Sequence, residues 1–364
     1  MYKVGILGAG MIAEVPSGFL AGMQALAHRA NVTAISSRSR ERAVLLAERF
    51  GIPYVYDDLD SMLAGEGVDI VINATPIGAH FETSKAILSA GKHLVSEKPF
   101  ALRLTEALEL EDLAKSAGVQ VAVAPSRMLE PSRQRAVTLI EAGAIGAVHS
   151  ARVRVAHAGP GGMPWPRDPR PAYSSSEGPL RDLAPYAFEQ VLGLLGPVRQ
   201  VCAMTLKSRP LIRAYGHGPF EGIDIPVESP DIVGILMETE GGCLVSIDCS
   251  YGQVGSRAPS IELFGEAGTI NLYTRYGADA GPRIELLQRG SGRPGEWIDP
   301  GTMSDRHRES ELAVLGRAGL VECLLNALDE ARPAYMGSKA ATQIVRLIEA
   351  VERSALERRV VEPD

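Results

Sequence analysis

The 364-residue chain has few cysteines, four in all, and none falls in a Cys-x-x-Cys pair. Cys202, Cys243, Cys249 and Cys323 thus offer neither a paired metal motif nor the framework of a small secreted domain, and free buried thiols in a reducing cytoplasm are expected. Cys243 and Cys249 stand six apart in the alternating run CLVSIDC, which puts both on one face of a strand. The seven histidines show neither HExxH nor HxxxH spacing, so no metal site is expected. No stretch approaches the roughly 18 uninterrupted apolar residues of a membrane-spanning helix. The N-terminal MYKVGILGAG passes from an apolar run straight into a turn, without the basic region and cleavage site of a secretory leader. Basic blocks are absent too. With 37 Lys and Arg against 44 Asp and Glu the net charge is −7, so neither nucleic acid nor a membrane is an expected partner.

What is present is an ordinary globular composition, 45% hydrophobic and 22% charged, at a length that suggests two domains. In the first third, short β-branched runs alternate with helical stretches: KVGILGAG, NVTAISS, SRERAVLLAERFG, VDIVINATP, HLVSEKP, LTEALELEDLAKSAG, VQVAVAP. Such alternation predicts βαβ units around a parallel sheet, a Rossmann-type domain over residues 1–124. Beyond it the rhythm changes. SARVRVAHA, DIVGILMET, CLVSIDCS, SIELFGEAGTINLY and RIELLQRG read as strands between Gly-rich turns, followed by two helices, ESELAVLGRAGLVECLLNALDEA and SKAATQIVRLIEAVERSA. This predicts an α+β domain on a mostly antiparallel open sheet over 125–364.

Residues 159–179 interrupt that domain with ten Gly or Pro in 21 positions. A structureless loop of this length is usually functional or disordered, and Trp165 and Tyr173 among its prolines suit the wall of a cleft for a polar ring. The loop leads into GPLRDLAPYAFEQVLGLLGPV, where Asp182 and Tyr186, four apart, share one face of a predicted helix.

The turn ILGAGMIA places Gly8, Gly10 and Ala13 in the G-x-G-x-x-G/A pattern after a strand and at the start of a helix. Gly8 permits the tight turn, Gly10 admits a pyrophosphate, and Ala13 allows close helix–strand packing; the anion is expected at the backbone of Gly10, Met11 and Ile12. At the end of the second strand, where a site for NAD would carry an acid for the ribose, Ala34 to Arg40 contains none. Ser36, Ser37, Arg38 and Arg40 instead offer hydroxyls and guanidinium groups to a 2′-phosphate, which favours NADP(H), with NAD(H) still open. Thr75, Pro76 and His80 follow the carboxyl end of a later strand, where ligands of open α/β sheets gather. His80 reads equally as a nicotinamide-pocket residue or as a histidine capping local backbone.

Glu97-Lys98-Pro99 at the end of a strand, downstream of the GxGxxA turn and the NATP…H segment, resembles the glucose–fructose oxidoreductase/inositol dehydrogenase (Gfo/Idh/MocA) family. The likeness continues through VAVAPSR, IEAGAIGAVHSARV and ELFGEAGTI. A third motif of that family, approximately D-x-G-x-H with an acid three residues on, is matched by Asp182-Leu183-Ala184-Pro185-Tyr186 and Glu189. Tyr186 stands where many members have His, which points to a subgroup with a tyrosine proton donor. The resemblance implies that Lys98 and Glu97 lie at the cofactor and that Lys98, Asp182 and Tyr186 form the catalytic set. It also implies a homodimer or homotetramer associating through the C-terminal sheet.

The chemistry is coherent. Reducing a carbonyl needs a proton at oxygen as hydride reaches carbon, a phenol can supply it, and a nearby ammonium would stabilise the phenolate. Lys98 is the ammonium expected to do so and to polarise the carbonyl; Asp182 is expected to bind a substrate hydroxyl or to hold Lys98. Arg127, Trp165 and Tyr173 are candidate substrate-binding residues, while His157 and His217 read as ordinary. The sequence thus reads as an NAD(P)(H)-dependent oxidoreductase of a sugar, keto-sugar or cyclitol. Two alternatives stay open: a nicotinamide-dependent glycosidase with no net redox change, and a non-catalytic dinucleotide sensor.

Overall fold

The computed structural model describes all residues except 66, 217, 275–282, 291–294 and 364; His217 therefore lies outside the described residues. The chain divides into two units, one of residues 1–126 with 307–345, the other of residues 127–306 with 346–364. Residues 307–345 thus group with 1–126 and not with the sheet unit that precedes them in sequence.

In the first unit the strands β1 (Tyr2–Leu7), β2 (Ala30–Ser36), β3 (Tyr54–Tyr56), β4 (Ile70–Asn73), β5 (His93–Ser96) and β6 (Val121–Val123) form a parallel sheet in the order β3-β2-β1-β4-β5-β6. Ile70, Val71 and Ile72 are completely buried, as a strand covered on both faces requires. Between strands run α1 (Met11–Glu14), α2 (Phe19–Met23), α3 (Arg40–Phe50), α4 (Leu59–Ala64), α5 (His80–Ser89) and α6 (Leu104–Ala117). The helix after the glycine turn is shorter than the pattern suggests: α1 has four residues, and Pro16 and Gly18 separate it from α2. The strand order reverses between β1 and β4, so the crevice at their carboxyl ends is the ligand-binding position of a doubly wound sheet.

In the second unit α7 (Pro131–Glu141) precedes β7 (Val148–Ala156), and α8 (Pro179–Asp182) and α9 (Ala184–Leu195) precede β8 (Val198–Leu206). A small ribbon, β9 (Leu211–Arg213) with β10 (Asp224–Pro226), is followed by β11 (Ile232–Thr239), β12 (Leu244–Ser250), β13 (Ile261–Gly265), β14 (Gly268–Leu272) and β15 (Ile284–Gln288). The large sheet has the order β15-β14-β13-β7-β12-β11-β8, parallel only where β7 meets β12. Alternation sorts its faces: Val233, Ile235, Met237, Val245, Ile247 and Cys249 are buried, while Leu236 and Leu244 are exposed. Cys243 is buried too, and none of the four cysteines is joined in a disulfide.

The single long helix expected over residues 309–331 is two, α10 (Met303–Leu315) and α11 (Ala318–Asp329), before α12 (Ser338–Glu357). Gly316 breaks it with φ +52°, and a Cβ there would lie 2.6 Å from the Ser17 carbonyl oxygen.

Candidate active site

The dinucleotide end of the first unit is built on the β1–α1 turn. Gly8 adopts φ +109°, and any Cβ would stand 2.6 Å from the Ala74 carbonyl oxygen, so only glycine fits. Gly10 is different: a Cβ there would meet nothing within 4 Å, so its side of the turn faces open space. Ala13 is fully buried, giving the close helix–strand approach. Met11 and Ile12 occupy the first two positions of α1 and are half-buried. This turn fits a pyrophosphate, which its backbone N–H groups would hold. Arg42, which sequence reasoning passed over as one charge of α3, braces the turn: its Nε donates to the Ala9 carbonyl at 2.9 Å and its Nη2 pairs with Glu14 at 3.0 Å.

At the end of β2, Ser36 is buried and its carbonyl accepts from Gly8 N at 2.8 Å. Ser37 is half-buried, Arg38 is exposed, and Arg40 pairs with Asp57. Among the described residues no carboxylate pairs with Arg38.

The ends of β4 and β5 are joined by polar contacts. Asn73, completely buried, accepts through Oδ1 from the Thr75 hydroxyl at 2.7 Å and donates through Nδ2 to Thr83 and Ser84 at 2.8 and 3.0 Å. The His80 ring lies with Nδ1 2.8 Å from the Pro99 carbonyl and Nε2 2.9 Å from the Thr75 carbonyl. Of its two readings, the backbone-capping one is what these contacts describe: His80 ties the Thr75-Pro76 turn to the Lys98-Pro99 corner, whose peptide bond is cis. Lys98 is half-buried, and the buried Glu97 pairs with Arg317.

The second unit carries Asp182 and Tyr186, but not on one continuous helix. The chain breaks at Leu183, because Pro185 has no N–H for the Arg181 carbonyl and its ring crowds that carbonyl. Tyr186 N instead bonds to Leu183 O at 3.0 Å. Asp182 accepts at Oδ2 from the Tyr251 hydroxyl at 2.7 Å. Tyr251, at the end of β12, is 1% exposed; burial, then the Asp182 charge, push its phenol well above the usual range, so it stays a donor. It stacks on His157 and lies tilted to Tyr173, each with ring centroids 5.4 Å apart. His157 Nδ1 accepts from Gly159 N at 2.8 Å, which places the proton of a neutral ring on Nε2. Sequence reasoning missed Tyr251 and read His157 as ordinary; YGQVGS after β12 looks like any strand end.

The loop at 159–179 contains a short 3₁₀ turn, Arg170–Tyr173. Tyr173 is 2% exposed and its hydroxyl accepts from Gly161 N at 3.1 Å, so it anchors the loop from inside. Trp165 is half-buried, with the Arg167 guanidinium 5.9 Å from its ring. Arg127 lies 5.7 Å from the Tyr186 ring and donates to Glu130 Oε1 at 2.7 Å. Glu130 also pairs with the fully buried Arg133 at 2.8 Å. Burial disfavours the Glu130 carboxylate, but Arg133 and Arg127 outweigh it and hold its pKa below the ordinary range. Glu189, the acid three residues after Tyr186, accepts from the backbone N–H groups of Arg127 and Met128 at 3.0 and 3.1 Å. Burial nevertheless pushes its pKa up to about 7. Among the described residues no cluster of His, Cys, Asp or Glu could hold a metal.

A doubly wound dinucleotide-binding unit with a Lys corner, together with a sheet unit bearing an acid and a phenol, defines a class of NAD(P)-dependent dehydrogenases acting on CH–OH groups. The model of the oxidoreductase family with an NAD-binding Rossmann fold matches residues 2–124, and the GFO/IDH/MocA C-terminal domain matches residues 133–271. The chain belongs to the Gfo/Idh/MocA family. It is 24% identical over 362 residues to a D-xylose 1-dehydrogenase (NADP⁺) of Haloferax volcanii, covering 99% of this chain and 98% of that one. Levoglucosan dehydrogenase of Pseudarthrobacter phenanthrenivorans is 27% identical over 289 residues, 74% and 72% of the two chains. An uncharacterized oxidoreductase of Schizosaccharomyces pombe is 30% identical over 263 residues, 66% of each chain. Among solved structures, an NAD-binding oxidoreductase from Klebsiella pneumoniae has the same fold at TM-score 0.83 and 21% identity, covering 100% and 99%.

Proposed function

We propose that this dehydrogenase moves hydride between NADP(H), in preference to NAD(H), and a sugar, keto-sugar or cyclitol at a carbonyl/alcohol pair. The observation that carries the reading is Tyr186, half-buried with the Arg127 cation beside its ring and one turn beyond a carboxylate that already holds a hydrogen-bond donor. The dinucleotide, when bound, supplies or accepts the hydride. Tyr186 gives the proton to the carbonyl oxygen, or takes it from the alcohol in the reverse direction, as the subgroup with tyrosine in place of histidine does. Arg127 stabilises the phenolate that remains. Lys98 hydrogen-bonds and polarises the carbonyl, and Asp182 takes a substrate hydroxyl. Glu97, Thr75, Pro76 and the Gly8-to-Ile12 turn serve the dinucleotide, and Trp165 borders the substrate.

The substrate class is supported by the names of the relatives, which are dehydrogenases of xylose, levoglucosan and apiose. The preference for NADP(H) is supported by exposed Arg38 and by the lack of an acid from Ala34 to Arg40. Free thiols suit the cytoplasm, and no helix among the described residues is long and apolar enough to cross a membrane. Exposed Met204, Leu206 and Leu236 on β8 and β11 support a homodimer or homotetramer formed through the sheet's outer face.

A screen of keto-sugars and sugar alcohols, following NADPH absorbance, tests the activity; net NADPH consumption separates it from glycosidase chemistry. With the substrate found, single-turnover hydride transfer in Tyr186→Phe should slow by about 10²–10⁴-fold with dinucleotide affinity nearly unchanged. A rate within a few-fold of the parent would mean that the proton comes from elsewhere.

A further inference from the structure

The returning segment 307–345 does more than pad the first unit. Its corner between α10 and α11, Leu315-Gly316-Arg317, touches two separate parts of the dinucleotide end. The backbone N–H of Arg317 donates to the Ser17 carbonyl at 3.0 Å, just beyond α1. Gly316 packs so closely on Ser17, and Leu315 O so closely on Gly22 in α2, that a Cβ on either glycine would collide with backbone. The Arg317 side chain then reaches the other part: its Nε donates to Glu97 Oε1, beside Lys98. Glu97 is 7% exposed, its backbone N–H bonds to Asn73 O at 3.1 Å, and its second oxygen lies 3.4 Å from Lys98 N. A carboxylate this buried needs a charged partner, and removing that partner from a buried pair is strongly destabilising locally.

From these contacts we infer that Arg317 is a positioning residue for dinucleotide binding. It fixes the Glu97-Lys98 corner relative to the segment that follows the glycine turn, so that both reach the cofactor in register. The guanidinium acts through Glu97 and touches no reacting atom. The guanidinium holds the Glu97 side chain in place, and the Arg317 backbone anchors it to the turn side of the fold. Sequence order hides this link, because the two partners are 220 positions apart. The inference rests on the proposed placement of the cofactor at Glu97 and Lys98.

The test is a fluorescence titration of the full chain with NADPH, which needs no substrate. In Arg317→Met the dissociation constant should rise about tenfold. Arg317→Lys, which keeps the charge and loses the fork, should recover most of that loss and bind within a few-fold of the parent, a rescue by the conservative variant that a purely architectural arginine would not give. Should Arg317→Met fail to fold, Arg317→Lys should still weaken NADPH by a few-fold. Parental affinity in Arg317→Met, or in Arg317→Lys where the first variant is unfolded, would overturn the assignment, and so would a loss in Arg317→Lys as large as in Arg317→Met. A parent that binds neither NADPH nor NADH would sink the cofactor reading instead.

Discussion

The hydroxyl of Tyr251 spends its proton on Asp182, and that contact yields a direct test. Tyr251→Phe keeps the ring on His157 and Tyr173 and removes only the donor. A hydrogen bond to a charged group contributes roughly 1.5–3 kcal/mol. If Asp182 takes a substrate hydroxyl, KM should rise by about tenfold or more and dinucleotide affinity should hold, as steady-state kinetics and NADPH titration would report. Glu189 makes a second prediction, with its sign set by burial. Its carboxyl titrates near 7 when folded, against 4.5 ordinarily. Between those values the folded chain holds a proton that the unfolded chain has lost. Its contribution to stability should therefore fall as pH rises through that window, by up to about 3 kcal/mol, and level off above 7. Urea denaturation from pH 5 to 8 would show this slope, and Glu189→Gln should flatten it. Tyr186, Asp182 and Lys98 were nameable as candidates from the sequence, because they match motifs of the family. Tyr251, Arg42 and Arg317 were not, since each gains its meaning only from a partner far along the chain.

Elements behaved as their punctuation allows. Runs with full apolar faces, such as VDIVINA and DIVGILMET, became β4 and β11, whereas the three-residue β3 and the polar-flanked β8 carry too little pattern to stand out. Single helices were expected twice where the chain makes two. Pro185 parts α8 from α9, and Gly316 parts α10 from α11; both residues are visible, but the tertiary contacts decide that they break the helix and do not merely weaken it. The loop at 159–179 shows the same division. Its composition marks it as exceptional, yet Tyr173 turns inward and Trp165 stays at the border. Gly159 has φ +72°, and a Cβ there would sit 2.3 Å from the Tyr173 hydroxyl. Gly159→Ala should thus cost about 1–3 kcal/mol in a denaturation experiment, because both strain and collision oppose it. It should also impair turnover, since the displaced Tyr173 packs on Tyr251.

For the molecule as a whole, cofactor preference should appear as thermal stability. A ligand bound to the folded state at 100 times its Kd adds about 2.7 kcal/mol. NADPH should raise the melting temperature more than equal NADH, and Arg38→Ala should erase the difference; a larger shift with NADH would reverse the assignment. Periodicity, which is local, was enough to predict a parallel sheet followed by a mostly antiparallel one, and the glycine spacing predicted a tight turn at Gly8, while Lys98 was a candidate only through resemblance to the family. Folding alone decided that residues 307–345 return to the first unit, that Arg317 meets Glu97, and that Asp182 is answered by Tyr251. Local pattern reports which backbone shape each stretch prefers. Which distant charges and rings are buried together depends on how the elements close over a shared core, and neighbouring residues do not record that.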